Sequence, residues 1–256
     1  MTRLSSLPTA LLQAIRQGRA LKVIAGLDNF DADRVQRVVR AASAGGADLV
    51  DLACDPTLVR LALALAPALP VCVSAVDPAL FPPAVEAGAA LVEIGNYDSF
   101  YPQGRVFTAA EVLELTRRTR ALLPGTVLSV TVPHPLPLDE QERLAADLVA
   151  AGADLIQTEG GTSARPLSAG ALGLIEKAAP TLAAAHAISR AVTVPVLCAS
   201  GLSAVTAPMA LAAGAAGVGV GSAVNRLDDE LAMVAVVRAL REALPVASMV
   251  QNEQPQ

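Results

Sequence analysis

Four Gly-Ala pairs in this chain, at Gly46, Gly88, Gly152 and Gly214, each precede a short apolar run. Five residues after each glycine stand Asp51, Glu93, Gln157 and Gly219. Three residues after stand Leu49, Leu91, Leu155 and Gly217. If the runs are strands, side chains alternate faces, and these two sets share one face. Asp51 and Glu93 then point to the same interior. Two carboxylates and an amide in one interior layer are costly unless paired. Lys22, in an apolar segment near the start, is the partner the sequence offers; the only other lysine is Lys177. A buried ammonium among carboxylates suits proton transfer or imine chemistry. Asp51 and Glu93 could serve as base and acid, or as ligands to a hard cation such as Mg²⁺. Plain interior ion pairing accounts for the same residues without any reaction.

A second polar set gathers where the strands end. Asp28 and Asn29, Ser74, Asn96 to Asp98, Thr131, His134, and Glu159 followed by Gly160, Gly161 and Thr162 lie at such positions. His134, between Pro133 and Pro135, is a candidate acid or base; Glu159 is another. Asp55 and Asp77, each followed by proline, read instead as helix N-caps.

A third signal is glycine. Val196–Asn225 reads as strand, glycine turn, helix, strand, glycine turn. Turns of this kind present backbone N–H groups to an anion. Ser200, Gly201, Leu202, Gly221 and Ser222, with Gly160 and Gly161 after the sixth strand, are the candidate phosphate ligands. Gly219 leaves room where the other repeat copies place polar groups. The glycines could equally serve close strand–helix packing. No set of metal ligands stands out from spacing, and Cys54, Cys72 and Cys198 read as small core residues of a reducing compartment.

These residues need elements to position them. Between the four repeat strands lie four others: Leu21–Leu27, Val71–Ala75, Val127–Val132 and Val196–Ala199. Helical patterns fill the gaps. Asp31–Ser43 places Val35, Val38, Val39 and Ala42 on one face, and Thr108–Glu111 has a capping-box pattern. Eight strands alternating with eight helices predict a single (β/α)₈ TIM barrel over residues 21–245, with an open doubly wound sheet as the competitor. Residues 1–20 form a leading helix that packs on the barrel, and residues 246–256 a frayed tail. The Gly160–Ala185 stretch is expected to be a lid or ligand-wrapping loop, with Arg165 available to an anion. His186 reads as structural.

The chain has 256 residues, is 53% hydrophobic and 17% charged, and carries a net charge of -5. That balance excludes a basic nucleic-acid surface, and an aromatic content of 2% leaves little for base stacking. Mean hydropathy is +0.50. Yet Ala207–Val224 is mostly Ala and Gly, and Leu58–Val76 is broken by Arg60, Pro67 and Pro70, so no convincing membrane span and no signal peptide are read. A cytoplasmic protein is expected. Its partner is a small phosphorylated molecule rather than nucleic acid or membrane, and a homo-oligomer is compatible with this reading.

At IAGLDNF, VEIGNYDSFY, TVPH, IQTEGGTS, GLIEKAAPT and CASGLSAVTAPMA the sequence resembles the cyanobacterial and plastid proteins of hypothetical chloroplast reading frame twenty-three. The resemblance covers nearly all of the chain after the first ten residues. It implies a barrel and leaves the activity open. More distantly, GLS and GVGVGSAVN resemble the phosphate end of ribulose-phosphate-binding barrels, which by position places Gly201, Leu202, Gly221 and Ser222 on phosphate. The first two strands resemble those of orotidine phosphate decarboxylase relatives, but VCVSAVD lacks their Asp-x-Lys-x-x-Asp, which argues against that chemistry. QTEGG with CASGLS also resembles flavin-dependent nitronate-oxidising barrels, whose N-terminal strand is not matched. The expected activity is therefore acid/base or carbon–carbon chemistry of the lyase or isomerase type on a phosphorylated metabolite. A flavin mononucleotide (FMN) oxidoreductase and a non-catalytic regulatory barrel are the alternatives.

Overall fold

The computed structural model describes residues 3–161 and 164–245. Thr162 and the tail 246–256 lie outside them. Eight strands, β1 (Ala20–Gly26), β2 (Leu49–Ala53), β3 (Val71–Ala75), β4 (Leu91–Ile94), β5 (Val127–Thr131), β6 (Leu155–Gln157), β7 (Val196–Ala199) and β8 (Gly217–Val220), pair in sequence order. All the pairings are parallel, and β1 closes on β8. This is the (β/α)₈ barrel, not the open sheet.

The repeat glycines explain the regularity. Gly46, Gly88, Gly152 and Gly214 all have φ between 85° and 112°, the left-handed conformation that ends a helix and turns the chain into the next strand. The strands then divide their side chains as the spacing requires. Leu49, Cys72, Leu91, Val127, Leu155 and Leu197 point inward at the N-terminal end. There they pack with Leu11, Ala14 and Ile15 of α1 (Thr9–Arg16), which covers the bottom of the barrel. Val50, Leu52, Val92, Ile94, Ile156 and Val218 face outward into the helix-packed shell. Each such side chain contributes about 1.5–3 kcal/mol when buried.

The helices are α2 (Ala32–Gly45), α3 (Pro56–Leu65), α4 (Phe81–Glu86), α5 (Ala109–Leu122), α6 (Leu138–Ala150), α7 (Gly170–Ala191), α8 (Ala207–Ala212), α9 (Ser222–Asn225) and α10 (Glu230–Ala243). Asp31 and Asp55 cap α2 and α3 through their side chains, and Thr108 and Glu111 form the capping box of α5. Asp77 caps a 3₁₀ turn, Pro78–Leu80, rather than an α-helix. Among the described residues there is one helix more than an eightfold repeat with a leading helix needs: the single turn α9, between β8 and α10.

The expectation of a long loop over Gly160–Ala185 is corrected. From Gly170 onward the chain is α7, a helix of 22 residues. Its alanines favour helix, and Pro180 is accommodated inside it. Among the described residues of this stretch, Gly160, Gly161 and residues 164–169 lie outside helix and strand. Among the described residues no helix is long and apolar enough to cross a membrane.

Candidate functional site

The interior layer is one closed network. Lys22 enters from β1, Asp51 from β2, Ser74 from β3, Glu93 from β4, Ser129 from β5 and Gln157 from β6, all at 0–1% exposure. The Lys22 Nζ donates to Glu93 Oε2 at 2.8 Å and to Gln157 Oε1 at 3.0 Å, and lies 3.3 Å from Asp51 Oδ2. The ammonium thus has two hydrogen-bond acceptors and, in Asp51, a second carboxylate in ion-pair contact. Ser129 Oγ donates to Glu93 Oε2 at 2.7 Å, and Gln157 Nε2 to Glu93 Oε1 at 2.7 Å. Ser74 Oγ donates to Asp51 Oδ1 at 2.6 Å, and Asn96 Nδ2 to Asp51 Oδ2 at 3.0 Å. Burial alone would lower the lysine, but the charges of Asp51 and Glu93 outweigh it and hold the ammonium above its ordinary range. Burial, with Asp51 beside it, pushes the Glu93 carboxyl up against the pull of Lys22. An ammonium so held is a poor imine nucleophile.

Above this layer the mouth carries its own polar set. Glu159, just past β6, is only 3% exposed. The Tyr101 hydroxyl donates to its Oε1, as does the His134 amide at 3.2 Å. Its Oε2 is buried with no hydrogen-bond partner among the described residues. Burial, reinforced by the Asp98 charge, pushes the Glu159 carboxyl up to about 8. The His134 imidazole packs edge-on against Tyr101, 5.1 Å between centroids, and burial lowers its basicity. Asp98 Oδ2 accepts from Ser200 Oγ at 2.7 Å. Two non-glycine residues hold left-handed backbones here, Asn96 (φ 61°) and Ser200 (φ 76°). Such conformations cost energy and concentrate at functional sites. Each is tied down by its side chain: Asn96 to Asp51, Ser200 to Asp98.

Between the loops after β4, β6, β7 and β8 lies a cavity of about 170 Å³. Asn96, Asp98, Gln157, Glu159, Ser200, Gly201, Leu202, Gly221 and Ser222 are among its lining residues. Gln157 belongs to both levels, lining the cavity while its amide binds Lys22 and Glu93. Ser222 and Ala223 open α9, where Val224 and Asn225 make the first bonds back to Gly221 O. The first amides of a helix have no intrahelical partner. Among the described residues no lysine or arginine lines the cavity.

The candidate phosphate glycines divide. Gly161 and Gly201 touch backbone to backbone: a Cβ on Gly161 would lie 2.3 Å from Gly201 Cα. Gly160 sits against Pro180 of α7, and neither Gly160 nor Gly161 lines the cavity. Packing of the β6 loop on the β7 loop explains this pair. Gly221 is different, because a Cβ there would meet nothing closer than Ile24 O at 3.4 Å. The room expected at Gly219 is already taken. A Cβ there would lie 2.8 Å from Ala199 Cβ and 3.1 Å from Ile24 Cδ1, so the position is closed by its neighbours.

Of the candidate catalytic residues, Lys22, Asp51 and Glu93 are brought together in the sealed layer, and His134 and Glu159 at the mouth. Arg165 is exposed and lines no part of the cavity. His186 is exposed on α7. Tyr101 was not legible as a site residue. It lies seven residues past β4 in a loop of two 3₁₀ turns, Tyr97–Ser99 and Tyr101–Gln103, where no strand or helix period fixes the direction of a side chain. The one available signal was its place in the polar, aromatic run NYDSFY.

A family model described as "Protein of unknown function (DUF561)" matches residues 6–250. The "Uncharacterized protein ycf23" of Cyanophora paradoxa is 44% identical over 220 residues, covering 86% of this chain and 90% of that protein. Among solved structures, a 3-hexulose-6-phosphate synthase superposes with a TM-score of 0.61 at 18% identity, covering 88% of this chain and 100% of that one. A thiamine phosphate pyrophosphorylase from Pyrococcus furiosus superposes with a TM-score of 0.59 at 19% identity, covering 90% and 96%. At these identities the likeness carries the barrel fold and nothing finer.

Proposed function

Starting from a chain that belongs to the DUF561 family and folds as a (β/α)₈ barrel, we propose that it binds a small phosphorylated metabolite in the mouth cavity and acts on it. The phosphate lies toward Gly201–Leu202 and Gly221–Ser222. The organic part points toward Asp98 and Glu159, with His134 beside them outside the cavity lining. The observation that carries this reading is the cavity itself, lined at once by the β7 and β8 loops and by Glu159. In barrels of this kind the loops after the seventh and eighth strands and the N-terminus of a short extra helix commonly hold phosphate. α9 is such a helix. The names of the synthase and the pyrophosphorylase above, each of which includes a phosphate compound, are in keeping with it.

The size of the cavity favours a compact ligand. Pockets for drug-sized ligands measure roughly 300–1,000 Å³, and this cavity measures about 170 Å³, which is little for the three fused rings of a flavin. The reaction class is polar chemistry at carbon, of the lyase or isomerase type, next to the mouth carboxylates. The sealed layer of Lys22, Asp51 and Glu93 acts from below. It fixes Gln157 and Asn96, both of which line the cavity, and does not itself touch the ligand.

Titration calorimetry with inorganic phosphate and short phosphorylated aldehydes and ketones tests the reading. Wild-type protein binds them, with phosphate competing. Gly221→Glu loses the binding at unchanged melting temperature, because its Cβ has room and its carboxylate repels the anion. Equal binding by both proteins, or none by the wild type, overturns the proposal.

A further inference from the structure

We infer that Asp98, His134 and Glu159 hold a divalent transition-metal ion at the mouth of the barrel. The three residues come from the ends of β4, β5 and β6, and each offers one ligand atom, all within 4.8 Å of one another. Two carboxylate oxygens and an imidazole nitrogen suit first-row ions of the manganese(II), iron(II) or zinc(II) kind.

A second observation points the same way. Glu159 is 3% exposed, and its Oε2 has no hydrogen-bond partner among the described residues. A buried acceptor left unmet costs roughly 1–3 kcal/mol, and a cation at this point removes the cost. The other oxygen is already fixed by the Tyr101 hydroxyl and the His134 amide. Ser200 fixes one oxygen of Asp98 in the same way. These are the outer contacts that orient metal-ligating carboxylates. Metal bonds of roughly 2.0–2.2 Å require the three ligand atoms to draw closer. Asp98 and His134 lie on loops and are only half buried, so they are the members able to rotate inward.

The ion would share the cavity with the phosphorylated ligand, and it would supply the positive charge that the lining residues lack. The inference deepens the reading given under Proposed function, but the binding of metal alone does not depend on it.

The test is titration of chelator-stripped protein with manganese(II) and zinc(II), without phosphate, read by calorimetry and by the electron paramagnetic resonance of manganese. One equivalent of at least one ion is expected to bind wild-type protein and raise its melting temperature. Glu159→Gln and His134→Ala lose that equivalent. Tyr101→Phe keeps it with affinity about 10–100-fold lower, as expected for an outer contact. Apo Glu159→Gln melts no lower than apo wild type, which separates loss of a ligand from loss of the fold. Gly221→Glu keeps the metal while losing phosphate, so the two proposals can fail separately. No saturable binding of either ion, or one equivalent bound equally by wild type, Glu159→Gln and His134→Ala, overturns the inference.

Discussion

Lys22 on β1 and Glu93 on β4 meet across the barrel, Nζ to Oε2, at 2.8 Å with both side chains at 0–1% exposure. Their strands are not neighbours, so the pair ties opposite walls together. Asp51, Gln157 and Ser129 complete the partners of these two groups. Gln157 carries this layer into the lining of the mouth cavity, while Lys22 and Glu93 stay beneath it.

Removing one member of a buried ion pair leaves an uncompensated charge, which typically costs about 3–5 kcal/mol. Lys22→Met and Glu93→Gln should each lower unfolding stability by that order in urea denaturation. The double variant Lys22→Met/Glu93→Gln should recover part of the loss, because two unmet groups are removed together. Two single-variant losses that simply add would contradict the pairing.

The same geometry makes a chemical prediction. The chain has two lysines. Amine acylation under mildly alkaline, native conditions should label Lys177 and leave Lys22 untouched. Unfolding in denaturant should expose both. Mass-spectrometric mapping reads the difference, and comparable labelling of Lys22 in the native state would contradict the sealed layer.

The alkaline limb of stability follows from the sign of the lysine shift. The folded-state pKa of Lys22 lies above its ordinary 10.5. Its contribution is therefore full below that pH and is lost as pH rises toward the folded value. The expected slope from this group is about -1.4 kcal/mol per pH unit above that point. Denaturant melts along an alkaline series measure it, and a stability that rises there would contradict the assignment.

Gly201 and Gly221 should respond oppositely to alanine. At Gly201, φ is 75° and a Cβ would lie 2.7 Å from Gly161 Cα and 2.8 Å from Lys177 O. Gly201→Ala should cost roughly 1–3 kcal/mol through backbone strain, before any clash is counted. Gly221→Ala, with room for its Cβ, should stay within about 0.5 kcal/mol of wild type. Thermal melts of the two variants decide this.

Much of the architecture was legible because it rests on periodicity. Four glycines at helix ends set the register that put Asp51, Glu93 and Gln157 in one layer and predicted Lys22 as their partner. Other features depend on contacts between distant loops, which no spacing encodes. The backbone contact of Gly161 with Gly201 has no counterpart in the spacing. Gly219 looks like open space until Ile24 and Ala199 fill it. Tyr101 reaches Glu159 only because the loop after β4 folds over the mouth. The alanine-rich stretch after β6 read as loop because its glycines, serines and prolines masked the helix that its alanines form.

On the proposed reading, the loops after β7 and β8 hold a phosphate beside Glu159. A crystal structure grown in phosphate tests it most directly. A tetrahedral anion is expected within hydrogen-bonding distance of the Gly201–Leu202 and Gly221–Ser222 amides, absent from Gly221→Glu crystals grown alike. Well-ordered loops with no anion between them in the wild-type crystals would contradict it.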